Sequence, residues 1–293
     1  MIINGETLIG VTTAFRLAFE TGLQQADPEF MEFTMEVKSN TSRNQYGWLA
    51  GTPGIRKWVG ERVFNNLTQK QYVVENVDWE ESIEVPRNDI ADDQYGQWSA
   101  SFQMLGMDAK HHPGELIYEF INNGETLEGF DGVPFFATNH PMGSSTYSNF
   151  ISGAGSPWYL LDASKPIKPM GLQMREDYSF RAYVNPNDPA VWLHKMYQFG
   201  ADARYNAFFG LPQLALKSEA ALGEATLDAA LTQMRRFKNE HGKPLRIRPT
   251  ILLVGPENEL EGRKLVEALN EAAGATNVYK GALKLIVSNY LAA

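Results

Sequence analysis

Residues 72–85, YVVENVDWEESIEV, read as one extended run: Ile83 and Val85 alternate with Ser82 and Glu84, and the run far exceeds the mean strand of about 5–6 residues. With KWVGERV at 57–63 it predicts a long, largely polar two-stranded excursion over residues 56–85. An excursion of this kind cannot supply its own core, and this limits how the chain can fold.

After Pro86 the period becomes helical. Asp89, Asp92 and Asp93 cluster where a helix N-terminus favours negative charge, and Trp98, Phe102, Leu105 and Ala109 then recur at three and four residues. Pro113 breaks or kinks the run, Leu116, Ile117, Phe120 and Ile121 resume it, and Gly124 ends it. One long helix, or two in line, is predicted.

Residues 1–45 carry one amphipathic piece, with Val11, Phe15, Leu17, Ala18 and Phe19 near helical spacing, before the polar run KSNTSRNQ at 38–45. This reads as an extended arm with a short helix, burying little against its own chain and needing a neighbour to become ordered. Residues 129–155 are loop-rich. Strands return over 158–218, with Tyr178, Phe180, Ala182 and Val184 on one face and 191–199 as another long run. Leu227, Ala230, Leu231 and Met234 then mark a helix, 250–254 a buried strand, 260–269 a second helix and 283–287 a second strand, together a compact α/β unit.

Composition excludes several classes of function. A chain of 293 residues with a 43% hydrophobic fraction builds one large domain or two modest ones and is not disordered in bulk. It has no cysteine, which excludes disulfides and thiolate metal sites. The start lacks a basic leader ahead of a long apolar core, and no run approaches the ~18 apolar residues of a membrane span, so a soluble protein made in a cytoplasm is expected. A net charge of −9 argues against tight nucleic-acid binding, because phosphate contacts need a basic face.

Chemistry-bearing groups are few. Asp89, Asp92 and Asp93 read as helix caps and dipole partners rather than metal ligands. The adjacent His111 and His112 point about 100° apart on a helix, cannot chelate together, and read as a solvated helix end. Asp131, Asn139 and His140 are the best candidate for catalysis, yet no nucleophile elbow accompanies them, and Asp131 between Phe130 and Gly132 also suits a turn. No nucleotide-binding glycine motif is present, and KPLRIR at 243–248 is the compact basic patch, reading as a solvated or interfacial edge with a DNA contact as the alternative.

Residues 46–63, YGWLAGTPGIRKWVGERV, combine two tryptophans, four glycines and two arginines. Trp and Arg carry much of the energy at interfaces, and glycine lets backbones approach closely. Trp48, Trp58, Arg62 and, further on, Trp79 are therefore candidate intersubunit contacts, with core packing the alternative for the tryptophans.

That stretch, with VPRNDIADDQYG at 85–96, FDGVPFFATNHP at 130–141, WYLLDASKPIKP at 158–169, YQFGADARYNAFFGLPQLALKS at 197–218, GKPLRIRPTILLVGP at 242–256 and TNVYKGALKLIVSNYLA at 276–292, resembles the major head subunit of Mu-like phages over nearly the whole chain. The resemblance implies an α+β, Hong Kong 97-like major capsid protein building an icosahedral head around double-stranded DNA. It implies an N-terminal arm (1–47), an extended loop (48–86) reaching an adjacent subunit, a peripheral domain (87–218) with a spine helix and long strands, and an apical α/β domain (219–293). Because the α/β unit follows the returning strands, the apical domain is expected to be C-terminal, a permuted order with its crossing at 219–225. Gly124, Gly129 and Gly132 are candidate hinges. Implied partners are many copies of the chain in hexamers and pentamers, a separate scaffold protein, a portal, and DNA enclosed without sequence-specific binding. No membrane, metal or cofactor is implied, and the place of action is the virion after assembly in a bacterial host cytoplasm. The alternatives are the shell protein of a microbial nanocompartment and a soluble hydrolase using Asp131 and His140.

Overall fold

The computed structural model describes residues 4–47, 72–92, 94–142, 145–185, 187, 189–239, 242–269 and 277–291. The chain opens with α1 (Gly5–Gln25), β1 (Thr34–Lys38) and β2 (Arg43–Gln45), then β3 (Val73–Glu75), β4 (Val77–Pro86), α2 (Arg87–Ala91) and the long α3 (Ser99–Asn122). Short strands β5 (His140–Met142), β6 (Ser145–Tyr147) and β7 (Phe150–Ile151) lead to β8 (Trp158–Leu161). A ribbon follows: β9 (Met170–Tyr183), α4 (Pro189–His194) and β10 (Met196–Phe209). The chain ends with β11 (Ala215–Ser218), α5 (Glu224–Arg235), β12 (Ile251–Val254), α6 (Glu259–Val266) and β13 (Lys284–Val287).

Two sheets form the frame. The first has the order β1-β9-β10-β4, and the second β13-β12-β8-β11-β7. In the first, β9 and β10 are antiparallel, and β4 pairs antiparallel with β10 along its whole length, from Val77 opposite Tyr205 to Pro86 opposite Met196. The long run at 77–85 is therefore an edge strand of the subunit's own sheet, not part of a free excursion. Its polar residues face solvent because only one of its edges and part of one face are covered. Trp48, Trp58 and Arg62 lie outside the described residues; on either side of them β2 pairs with β3, and the Tyr46 amide donates to the Tyr72 carbonyl at 2.8 Å.

The N-terminal region differs most from the expected arm. Asn4 caps α1 by accepting the Thr7 amide at 2.8 Å, and Leu8, Val11, Phe15 and Phe19 form a continuous buried stripe. That stripe packs inside the same chain: Phe15 stacks on Phe102 of α3 at 4.2 Å and meets Phe199 of β10 edge-on at 5.2 Å, while Phe180 of β9 lies 5.7 Å from Phe19. The two helices cross closely. A Cβ on Gly22 would stand 2.0 Å from the Gln103 carbonyl oxygen, and one on Gly106 2.1 Å from that of Phe19. Sequence periodicity found the apolar stripe but not its partners, which lie far away along the chain.

Helix α3 runs on through Pro113 without ending. Its first half, with Phe102, Leu105 and Ala109, faces α1 and the first sheet. Its second half, with Ile117, Tyr118 and Ile121, joins Tyr159, Leu161, Ile251 and Leu253 of the second sheet in the largest core. The opposite face of that sheet is covered by Leu227, Leu231 and Met234 of α5 and Val266 of α6.

The domain division at 218/219 is also corrected. β12 pairs with β8 and β8 with β11, so the sheet holding the C-terminal strands begins at residue 150. Strand β8 is buried at all four residues, and such a strand needs partners on both edges. The second sheet is thus assembled from two stretches of chain with the β9–β10 ribbon inserted between them, and the crossings fall at 162–169 and 210–214 rather than 219–225. Lys168 fixes one crossing by donating to the Met31 and Glu32 carbonyls at 2.9 and 2.8 Å. Finally, the run 191–199 is not one strand. Residues up to His194 are helical, with Val191 buried and Trp192 and Leu193 exposed, and the strand starts at Met196 after Lys195 at φ 55°.

The helix crossing gives a direct test. Gly106→Ala is expected to destabilise the isolated subunit by at least about 2 kcal/mol in urea unfolding, because the new methyl has no room against the α1 backbone. Gly10→Ala, whose Cβ would meet nothing within 4 Å, is expected to stabilise it by roughly 0.5–1 kcal/mol.

Candidate functional site

Two polar clusters and the outer surfaces are the places where this fold could act. The first cluster lies where α3 meets the first sheet. His112 is not a solvated helix end: its Nδ1 lies 2.5 Å from the Tyr205 hydroxyl, which is 3.1 Å from that of Tyr178. Trp79 of β4 closes the group, its ring 4.6 Å from the imidazole and its Nε1 donating to the Tyr205 carbonyl at 3.1 Å. Burial lowers the His112 pKa, with Glu115 pulling the other way. A neutral ring accepting from the Tyr205 hydroxyl fits this setting. Trp79 is thus partly buried against its own chain, and helical neighbours had hidden that His112 faces inward.

The second cluster gathers around β5 and β6, which carry His140 and Tyr147. The Asp131 Oδ2 lies 2.7 Å from His140 Nδ1, and Asn149 Oδ1 lies 3.0 Å from His140 Nε2. Asn149 cannot turn its amide round, because its Nδ2 donates to the Phe135 and Pro212 carbonyls at 2.7 and 3.1 Å and its Oδ1 also accepts the Ala137 amide at 2.9 Å. His140 is fully buried and stacks on Tyr147 at 5.0 Å. Both ring nitrogens are therefore engaged, and no side of the ring is open to a substrate. The sequence grouping of Asp131 with His140 holds, but Asn139 is exposed and Asn149 takes the third position; no local motif distinguishes the two asparagines. Asp131 also shapes its turn by accepting the Val133 amide at 3.3 Å, with Gly132 at φ 76°.

Other charged groups serve packing. Asp89 accepts from Trp98 Nε1 at 3.0 Å, and among the described residues there is no group of three or more carboxylate or imidazole side chains able to hold a metal. Lys217, buried on β11, pairs with Glu125 and, at 3.0 Å, with Glu219. Among the described residues no helix is long and apolar enough to cross a membrane. The outer surface carries Trp192 and Leu193, 78% and 71% exposed at the ribbon tip, and Ile9 and Leu17 along α1.

A helix shared by two sheets and a long ribbon frame the described residues, and the His140 imidazole among them is closed to solvent. Comparison with known proteins gives the fold a class. The subunit in the procapsid of bacteriophage JBD30 superposes with a TM-score of 0.89 and 31% sequence identity, over 99% of this chain and 100% of that one, so the fold is that of a phage capsid protein. The major capsid protein of Escherichia phage Mu is 32% identical over 308 residues, 99% of this chain and 100% of its own. The Mu-like prophage FluMu major head subunit of Haemophilus influenzae is 31% identical over 289 residues, covering 93% and 94%. Residues 8–291 match the family described as Mu-like prophage major head subunit gpT, and the chain belongs to that family.

Both clusters make predictions for the isolated subunit. Asn149→Ala should cost about 3 kcal/mol in chemical unfolding, because it strands two buried carbonyls and an amide, whereas Asn139→Ala should change it by less than about 0.5 kcal/mol. His112 has a folded-state pKa below its unfolded value of about 6.5. The unfolded chain therefore binds this proton more readily, so the stability present above pH 6.5 is lost as pH falls toward the folded-state value. Unfolding midpoints measured between pH 7 and 5 should fall less steeply in His112→Gln than in the parent.

Proposed function

We propose that this chain is the major capsid protein of a Mu-like phage or prophage head. Many copies assemble, as hexamers and pentamers, into an icosahedral shell that encloses double-stranded DNA. The observation that carries this reading is the family match across residues 8–291, almost the whole chain. It favours a DNA-filled head over a nanocompartment that encloses enzymes.

The physical features agree with a container. A net charge of −9 suits a wall that holds DNA without gripping it, since a basic wall would bind phosphate and hinder exit. The role is structural rather than catalytic: a hydrolase using Asp131 and His140 would need an imidazole reachable by substrate, and this one is sealed on all sides. Contacts with neighbours come from the tryptophan- and glycine-rich stretch at 46–63, including Trp48, Trp58 and Arg62, and from exposed apolar residues such as Trp192. A separate scaffold protein and a portal join during assembly, which takes place in the host cytoplasm before the protein takes its place in the virion.

Expression of the full chain, with and without a scaffold protein from the same phage, tests the reading by light scattering and negative-stain electron microscopy. Closed shells of megadalton mass are expected. A monodisperse monomer under both conditions, or hydrolytic turnover abolished by His140→Ala, would overturn it.

A further inference from the structure

Strand β13 is the outer edge of the second sheet, and its free side opens into a cleft of about 380 Å³. Lys284 and Ser288 donate to the Thr250 and Val254 carbonyls of the β12 side, so the intervening Leu285 and Val287 turn their amides and carbonyls away from β12 and into the cleft. The two carbonyls stand about 6.5 Å apart along the strand. Asp27, Glu29, Glu32, Arg263 and Glu267 line the cleft with the strand.

The charges of this cleft do not balance. Lys284 is paired with Glu32, and Arg263 with Glu267 and Glu259 at 3.0 and 2.9 Å. Among the described residues Asp27 and Glu29 have no cationic partner; Glu29 accepts only the Tyr118 hydroxyl at 3.0 Å. The strand's outward amides and carbonyls balance one another, so the carboxylates leave acceptors in excess, and guanidinium, with five N–H donors in a planar fork, is the side-chain group that satisfies such a surface best.

The same molecule carries the complement elsewhere. Arg246 and Arg248 are exposed, and among the described residues their guanidinium groups have no carboxylate partner. Their backbone is pinned: Ile247 between them is buried, the Arg248 amide donates to Asp162 Oδ2 at 2.9 Å, and the Leu245 amide donates to the Phe237 carbonyl at 2.9 Å. Two long cationic side chains thus stand two positions apart on a backbone pinned by hydrogen bonds.

We propose that the β13 cleft of one copy receives Arg246 and Arg248 of a neighbouring copy. The two patches are different surfaces of the same chain, so the contact is head-to-tail and propagates around a ring of subunits. The inference rests on the shell reading above, and it assigns a charge-paired contact to the second sheet.

Charge exchange tests it, under conditions where the parent chain forms particles, by sedimentation and electron microscopy. Arg246→Glu with Arg248→Glu, and separately Asp27→Arg with Glu29→Lys, should each lower particle yield at least tenfold while the unfolding curve of the isolated subunit stays unchanged. Should Glu29→Lys disturb the Tyr118 contact, Asp27→Arg alone carries the acidic arm. All four changes in one chain should restore particles. Parent-level assembly by either reversed pair, or four-fold variants that fold but give no recovery, would overturn the inference while leaving the shell reading intact; failure of the parent chain to assemble at all would instead remove the shell reading and this contact with it.

Discussion

A two-stranded ribbon with strands fourteen residues long is not stable alone in water, and β9 and β10 make such a ribbon. Everything around it follows from covering it. Phe180 and Phe199 project from one face into a set of rings completed by Phe15, Phe19 and Phe102, so α1 and α3 are held down by aromatic contacts of 5.2–5.9 Å. The ribbon's edges are taken by β1 and β4. The long polar strand that first limits the fold is thereby satisfied inside the subunit.

Helix α3 passes this order on to the second sheet. Its two halves enter different cores, so the sheets cannot shift relative to each other without losing packing on a shared helix. Because the second sheet is built from stretches on either side of the ribbon, neither sheet is a separable C-terminal unit. A head built from many copies gains from this: each subunit arrives with its core complete, and association has only to bury surface.

Much of this was legible in the sequence where the signal is local. The three-and-four spacing of Phe102, Leu105, Ala109, Leu116 and Ile117 announced α3, and the alternation of Tyr178, Phe180 and Ala182 announced the face of β9 that meets it. Seven collinear blocks of resemblance carried the family. What failed was whatever depends on partners distant along the chain. The stripe of α1 looked unsupported because its partners are at 102, 180 and 199; the four buried residues of β8 gave no hint that β12 and β11 would flank them. Asn149 rather than Asn139 completes the His140 cluster because the carbonyls that fix it come from 135 and 212, and no spacing rule reaches that far. His112 is illegible for a related reason, since its neighbours His111 and Pro113 suggest a helix end where the helix continues.

The central claim is that the subunit is folded before it assembles, with α1 part of its core. Hydrogen exchange of the α1 amides, followed by mass spectrometry in the isolated subunit and in assembled particles, measures this most directly. Residues 8–22 should be as protected as those of α3 in the isolated subunit and should gain little on assembly. Rapid exchange across 8–22 in the subunit, with protection appearing only in particles, would contradict it and restore the picture of an arm ordered by its neighbours.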